Sequence, residues 1–169
     1  DKDDYDRISE FDALFIRETT NVNHHTFRFS QRAEADGLVV IDDPVSILKC
    51  TNKVYLAEVL DHYRIPAPRT LIVNHENKDQ VIKTLGYPTI LKQPDSSFSQ
   101  GVIKVVNRED FKRKIDDFLD KSDLVIAQEF VPTDYDWRVG ILNNEPLYVC
   151  KYYMAKEHWQ IVNWNAGRV

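Results

Sequence analysis

Lys92 ends an apolar run, Tyr87-Pro88-Thr89-Ile90-Leu91-Lys92. A small polar stretch follows, Asp95-Ser96-Ser97-Phe98-Ser99-Gln100-Gly101, and then a second apolar run over 102–106. A strand, a polar loop and a returning strand can hold one cation and several loop N–H groups over a polyphosphate. A lysine ammonium is a compact point charge, suited to phosphate oxygens. Lys92, Ser97, Ser99 and Gly101 are therefore candidate phosphate ligands. A strand-end lysine by itself is more often an ordinary surface residue. The balance changes because a third apolar run, 124–131, closes with Gln128-Glu129-Phe130-Val131 and is followed by Asp136-Trp137-Arg138-Val139. Lys104, between Ile103 and Val105, has the same charge and is expected to face solvent.

The elements that must position these residues can be read from spacing. Residues 11–16 read as a mostly buried strand, 23–35 as a helix ended by Gly37, and 38–41 as a short apolar strand. That order predicts the last unit of a parallel sheet. Residues 45–50 give a helical turn or two. Leu56, Val59, Leu60 and Tyr63 then mark a helix over 52–63. Prolines 66 and 68 break it before a strand at 69–73. Asn77 and Gln80 have capping-box spacing ahead of Val81, Ile82 and Leu85, and Gly86 stops that helix. Asn107 caps a helix whose apolar face is Phe111, Ile115, Phe118 and Leu119. A β-hairpin over 136–155 turns at Asn143-Asn144-Glu145-Pro146, and 158–164 reads as extended. The order over 69–131 is β-α-β-β-α-β. It predicts a four-stranded antiparallel sheet with two helices on one face. The fold class is α/β, built of α+β lobes.

Composition limits the function. The chain has 169 residues, 43% hydrophobic and 29% charged, which is enough for one packed domain or two small lobes. The net charge of −5 and the absence of a dense Lys/Arg run argue against nucleic acid as a partner. No apolar run approaches the ~20 residues of a membrane span. Two cysteines, Cys50 and Cys150, make no CxxC motif and no disulfide framework, which fits a reducing, cytoplasmic setting. His24 and His25 are adjacent, and no HExxH, GxSxG or Walker A pattern occurs. The chain starts Asp1-Lys2-Asp3-Asp4 without Met and is expected to be a fragment, although an acidic processed or disordered terminus would read the same way.

Taken together, the Lys92 strand, the 95–101 loop, Gln128 to Val131 and Asp136-Trp137-Arg138 resemble the nucleotide-binding half of an ATP-grasp enzyme. Within that superfamily the chain resembles the RimK-like carboxylate–amine ligases, relatives of glutathione synthetase. The resemblance implies that Lys92 contacts nucleotide phosphates. It implies that Lys53, in the pair Asn52-Lys53, reaches them too. Gln128, Glu129, Phe130 and Val131 would form the hinge that reads adenine through its backbone, with Glu129 a hydrogen-bond partner for base or ribose. Asp136 would accept from ribose hydroxyls. Arg138 would brace the hinge or meet an anionic substrate. The resemblance also has departures. The loop keeps only Gly101-Val102 of a glycine-rich pattern, and Phe98 stands within it. Tyr153 and Met154 replace a pair of arginines, and Ile161-Val162-Asn163 keeps only Asn163 of an Arg-Ser-Asn run. Lys151 is a candidate source of the missing positive charge.

The resemblance implies an ATP-dependent ligase that forms an amide bond through an acyl phosphate, with amino-acid or peptide substrates. It also implies Mg²⁺, whose ligands are expected beyond residue 169. Residues 1–43 would be the end of a preceding domain, 44–127 the connector and small lobe, and 128–169 the start of the large lobe. An oligomer is compatible with these features. The alternative is a nucleotide-binding or interaction module without catalysis, or a plain α/β scaffold.

Overall fold

The computed structural model describes residues 2–96 and 100–163. Ser97 and Ser99, both candidate phosphate ligands, lie outside the described residues, as does Phe98.

A 3-10 helix, Lys2–Glu10, buries Ile8 and precedes strand β1, Ala13–Phe15. Helix α1, His25–Ala35, turns the chain back so that β2, Val39–Ile41, pairs with β1 in parallel. Gly37 ends α1 at φ +83°, and the Leu38 N–H donates to Ala33 O at 2.9 Å. This left-handed closure is the one glycine accepts without strain. Strand β1 is shorter than the run 11–16 and is not mostly buried, since Phe15 is 65% exposed. Among the described residues β2 is its only partner strand, so little covers its faces.

Helix α2, Pro44–Thr51, opens with Asp43 accepting from the Ser46 N–H and proline in the first turn. Helix α3, Lys53–His62, is capped by Asn52, whose Oδ1 accepts from Val54 N and Tyr55 N. The Asn52 amide reaches across to Asp95 Oδ1 at 2.8 Å, and Lys53 N donates to Pro94 O at 2.9 Å. These bonds tie the start of α3 to the loop after the Lys92 strand.

The stretch 69–131 follows the expected order. It contains β3, Thr70–Val73; helix α4, Val81–Leu85; β4, Thr89–Lys92; β5, Val102–Val105; helix α5, Arg108–Leu119; and β6, Val125–Glu129. The sheet order is β3-β6-β4-β5, and every pair is antiparallel. Strand β6 is therefore inserted between β3 and β4. Val73, Leu91, Val105, Val125 and Ala127 pack against Val81 and Leu85 of α4 and Phe111, Ile115, Phe118 and Leu119 of α5. Asn107 caps α5, accepting from Asp110 N. Asn77 does not form the capping box. Its side chain instead links Ile72 O and Asn74 N, and a 3-10 turn, Lys78–Gln80, leads into α4. The short β3–α4 connection needs its own turn bonds, and Asn77 supplies them.

Strands β7, Tyr135–Leu142, and β8, Glu145–Tyr153, form the last hairpin. Asn143 and Asn144 take positive φ at its tip, as a two-residue turn between right-twisted strands requires. Among the described residues beyond β8, no further strand forms, so the expected extended segment is a bent one.

Candidate functional site

The two faces of the small sheet carry different side chains because strand residues alternate. Thr70, Ile72, Lys92, Ile126 and Gln128 lie on the face away from α4 and α5. With α3 across from them, they line a cavity of about 500 Å³. Lys53, Leu56, Ala57 and Leu60 form the α3 wall.

Two lysines enter this cavity from different elements. Lys92 Nζ donates to Gln128 Oε1 at 2.6 Å, and Gln128 Nε2 donates to Thr70 Oγ1 at 2.8 Å. The amide is thereby oriented with its oxygen toward the lysine. Lys53 Nζ donates to the Ser96 carbonyl and to Ser96 Oγ, the latter at 3.1 Å. Among the described residues neither ammonium ion-pairs with a carboxylate. Burial holds Lys92 below the ordinary lysine range. Burial also lowers Lys53, the Lys92 charge adds to that, and Asp95 partly offsets it. Two half-buried cations that repel each other, neither of them ion-paired with a carboxylate among the described residues, have the chemistry to accept an anion.

Gly101 shapes the base of the loop. It has φ +62°, and an added Cβ would lie 2.9 Å from Ser96 Cβ. Its carbonyl accepts from Gln93 N at 2.9 Å, closing the β4–β5 connection. Gln128 meets Lys92, and Lys53 meets Ser96 in the loop that Gly101 closes.

Glu129 is placed differently. It shares the face of Val125 and Ala127, opposite Gln128. Its carboxylate accepts from Arg69 N at 2.8 Å and Arg69 Nε at 2.7 Å, and these bonds lower its pKa. Arg69 in turn donates to Thr84 O on α4. The side chain expected at base or ribose therefore clamps the edge of β3, because strand alternation turns it away from the cavity. Only the Glu129 backbone remains on the side of the hinge role.

Beyond β6, Phe130 meets Trp159 edge to face with ring centroids 6.1 Å apart. The Lys104 ammonium lies 4.5 Å from the Phe130 centroid and 5.3 Å from that of Trp159. Lys104 is half-buried, not a solvent-facing charge, because it pairs opposite Ile90 on the cavity side of the sheet. Val131 is exposed. Asp136 and Arg138 share one face of the β7–β8 hairpin, where the Arg138 guanidinium stacks on Tyr152 at 4.4 Å. Lys151 is on the other face, 4.2 Å from the Tyr135 centroid. None of these three lines the Lys53–Lys92 cavity. Asn163 is half-buried at the end of the described chain. Thr70, Trp159 and the apolar α3 residues Leu56, Ala57 and Leu60 are not singled out as site residues by the sequence. Thr70 faces the cavity through its pairing with Gln128 on a strand far along the chain, which the sequence does not signal.

The D-ala D-ala ligase C-terminus family model matches residues 59–166, more than half of the chain. The chain belongs to that family, and its fold is a partial ATP-grasp fold. It is 29% identical over 139 residues to the alpha-aminoadipate–LysW ligase LysX of Saccharolobus solfataricus, covering 78% of this chain and 50% of that protein. It is 32% identical over 101 residues to the D-alanine–D-alanine ligase of Acinetobacter baumannii, covering 59% of this chain and 32% of that enzyme. The chain thus spans about half the length, or less, of these relatives. Among solved structures, a RimK domain ATP-grasp protein from Sphaerobacter thermophilus superposes with a TM-score of 0.71 at 16% identity, covering 90% of this chain and 58% of that one. An ADP complex of N5-carboxyaminoimidazole ribonucleotide synthetase gives 0.70 at 18% identity, with coverage of 94% and 43%. Among the described residues, no helix is long and apolar enough to cross a membrane.

Proposed function

We propose that this chain is the nucleotide-gripping part of an ATP-dependent carboxylate–amine ligase, joining an amino acid to a peptide or small-molecule carboxylate through an acyl phosphate. The observation that carries this reading is the Lys53–Lys92 pair, two cations in one cavity with no ion pair to a carboxylate among the described residues. Family membership supports the reaction class, and the ligase names of the relatives support the substrate class.

In this reading Lys92 and Lys53 bind the ATP phosphates, and the loop ending at Gly101 wraps them with its N–H groups. Gln128 holds Lys92 in place, and its orientation is set by Thr70. The backbone from Gln128 to Val131 reads the adenine edge. Asp136 receives the ribose, and Arg138 or Lys151 meets the anionic substrate. The lysines stabilise charge that develops on the transferred phosphoryl group, and positioning carries most of the catalysis. Residues 1–43 would then complete a preceding domain, 44–127 the connector and small lobe, and 128–169 the opening strands of the large lobe.

The donors around Lys92 are ammonium, amide and hydroxyl groups. They suit phosphate and not Mg²⁺, which takes oxygen ligands rich in carboxylate.

Calorimetric titration of the chain with ATP tests the grip. Saturable binding that Lys92→Ala weakens is expected, and unaltered binding would remove the phosphate assignment. For the reaction, hydroxylamine should trap the acyl phosphate as a hydroxamate when the full-length protein is given ATP and its carboxylate substrate.

A further inference from the structure

A second constellation lies outside the nucleotide cavity, where β1 gives way to α1. His25 Nε2 is 3.3 Å from Glu18 Oε2, and the His24 and His25 rings lie 4.1 Å apart, centroid to centroid. Ligand atoms of Glu18, His24 and His25 all fall within 4.8 Å of one another. Two imidazoles and a carboxylate are a donor set that suits Zn²⁺ and its neighbours in the first transition row.

A hydrogen-bond relay adds an independent indication. His24 Nδ1 is 3.0 Å from Thr26 Oγ1, and the Thr26 hydroxyl donates to Thr19 O. The hydroxyl proton is already used, so Thr26 Oγ1 accepts from His24 Nδ1–H. That bond selects the tautomer whose Nε2 lone pair is available. Metal-bound histidines are commonly oriented in this way, with the second ring nitrogen donating to a fixed acceptor. The same relay anchors the backbone next to Glu18, and Thr26 is 3% exposed. One buried threonine therefore organises both the loop and the helix start.

We propose that Glu18, His24 Nε2 and His25 Nε2 form a binding site for a divalent transition metal of the Zn²⁺ class. The site stands at the rim of a cavity of about 240 Å³ that Arg17 and Thr26 also line. Three protein ligands leave a fourth position for water or an anionic donor. The competing arrangement is a plain Glu18–His25 ion pair, in which His24 takes no part.

The test uses the tag-free 169-residue chain, stripped with a chelator and titrated with Zn²⁺ by calorimetry and with Co²⁺ by visible absorption. One equivalent of Zn²⁺ should bind, and Co²⁺ should give the intense visible bands of low coordination number. His24→Ala and His25→Ala should each weaken binding at least 100-fold, with far-UV circular dichroism unchanged. Thr26→Val should weaken it about 10-fold, within the range known for outer-shell partners. Lys92→Ala should leave it unchanged, which separates this site from the nucleotide cavity. Failure to bind one equivalent, or binding that survives His24→Ala, overturns the proposal. If a histidine variant loses its dichroism, the Co²⁺ spectrum of Glu18→Gln decides instead: an unchanged spectrum removes the carboxylate and with it the site.

Discussion

The two faces of the four-stranded sheet are built from the same strands and do opposite work. On the α4–α5 face, Val73, Leu91, Val105, Val125 and Ala127 are all at most 1% exposed. On the other face, Lys92 alternates with Leu91, and Gln128 alternates with Ala127. A single residue step separates the best-buried side chain of β4 from its charged one. Stability is concentrated on one face, so the other is able to present Lys92 to the opposing Lys53 of α3. Removing a face-one residue should therefore harm folding, and removing a face-two residue should harm binding.

The largest effect tests the first half of that division. Leu91→Ala removes a side chain with no exposed surface. It should cost about 2–5 kcal/mol, transfer and cavity terms together. Urea unfolding followed by circular dichroism measures it. A cost below about 1 kcal/mol would mean that the face is not close-packed, against the general density of protein cores.

Lys92→Met tests the second half. Loss of a charge-assisted contact to phosphate should cost about 1.5–3 kcal/mol of ATP affinity. Stability should hold or rise, because a buried charge is exchanged for an apolar side chain of similar length. The pH dependence has a definite sign. Folding lowers the pKa of Lys92, so between the lowered value and the unfolded value, about 10.4, the unfolded chain binds more protons. Stability contributed by this group therefore rises with pH across that window, and the penalty is full below it. ATP should remove the penalty at neutral pH, and its affinity should fall as pH climbs through the same window. Subtracting the Lys92→Met profile isolates the group from other titrating residues. A wild-type profile identical to that of the variant would show that Lys92 is not desolvated.

Gly101→Ala probes the joint between the two faces. Its positive φ and the 2.9 Å approach to Ser96 Cβ both oppose a side chain. The cost should be about 1–3 kcal/mol, the range for a residue held in a sparsely populated backbone region. Weakened ATP binding should accompany it, since Ser96 also receives Lys53.

These residues also show what could be read without coordinates. The β-α-β-β-α-β order and the cap at Asn107 depend on local periodicity and short motifs, and both reappear in the structure; the cap at Asn52 escapes a reading that starts the helix at Asn52 itself. Glu129 and Lys104 depend on which way a strand residue points, and that is set by registry with partner strands far along the chain. Thr89 pairs with Glu129, and Ile90 pairs with both Gln128 and Lys104. Once those pairs are known, Glu129 must face the helices and Lys104 the cavity side. Asn77 does not cap the helix because its side chain is used in the preceding turn, accepting from Asn74 N and donating to Ile72 O.

Lys104 gives the smallest and sharpest test of the comparison. The sequence alone reads it as a surface charge, yet it lies on the cavity side against the Phe130 and Trp159 rings. A cation held over aromatic rings at a partly exposed site contributes about 0.5–1 kcal/mol. Lys104→Ala should therefore destabilise the chain by about that amount and change the Trp159 fluorescence. Its effect on ATP affinity should remain below that of Lys92→Met, since its ammonium is engaged by the rings and Lys104 does not line the Lys53–Lys92 cavity. Lys112, exposed on α5 behind the helix face, is the reference charge. Lys112→Ala should alter stability by no more than about 0.5 kcal/mol and leave nucleotide binding unchanged. If Lys104→Ala matches Lys112→Ala in both measurements, the aromatic clasp contributes nothing. If it matches Lys92→Met in ATP affinity, the phosphates extend further along the sheet than the two-lysine cavity, and the division between gripping and bracing residues on that face must be redrawn.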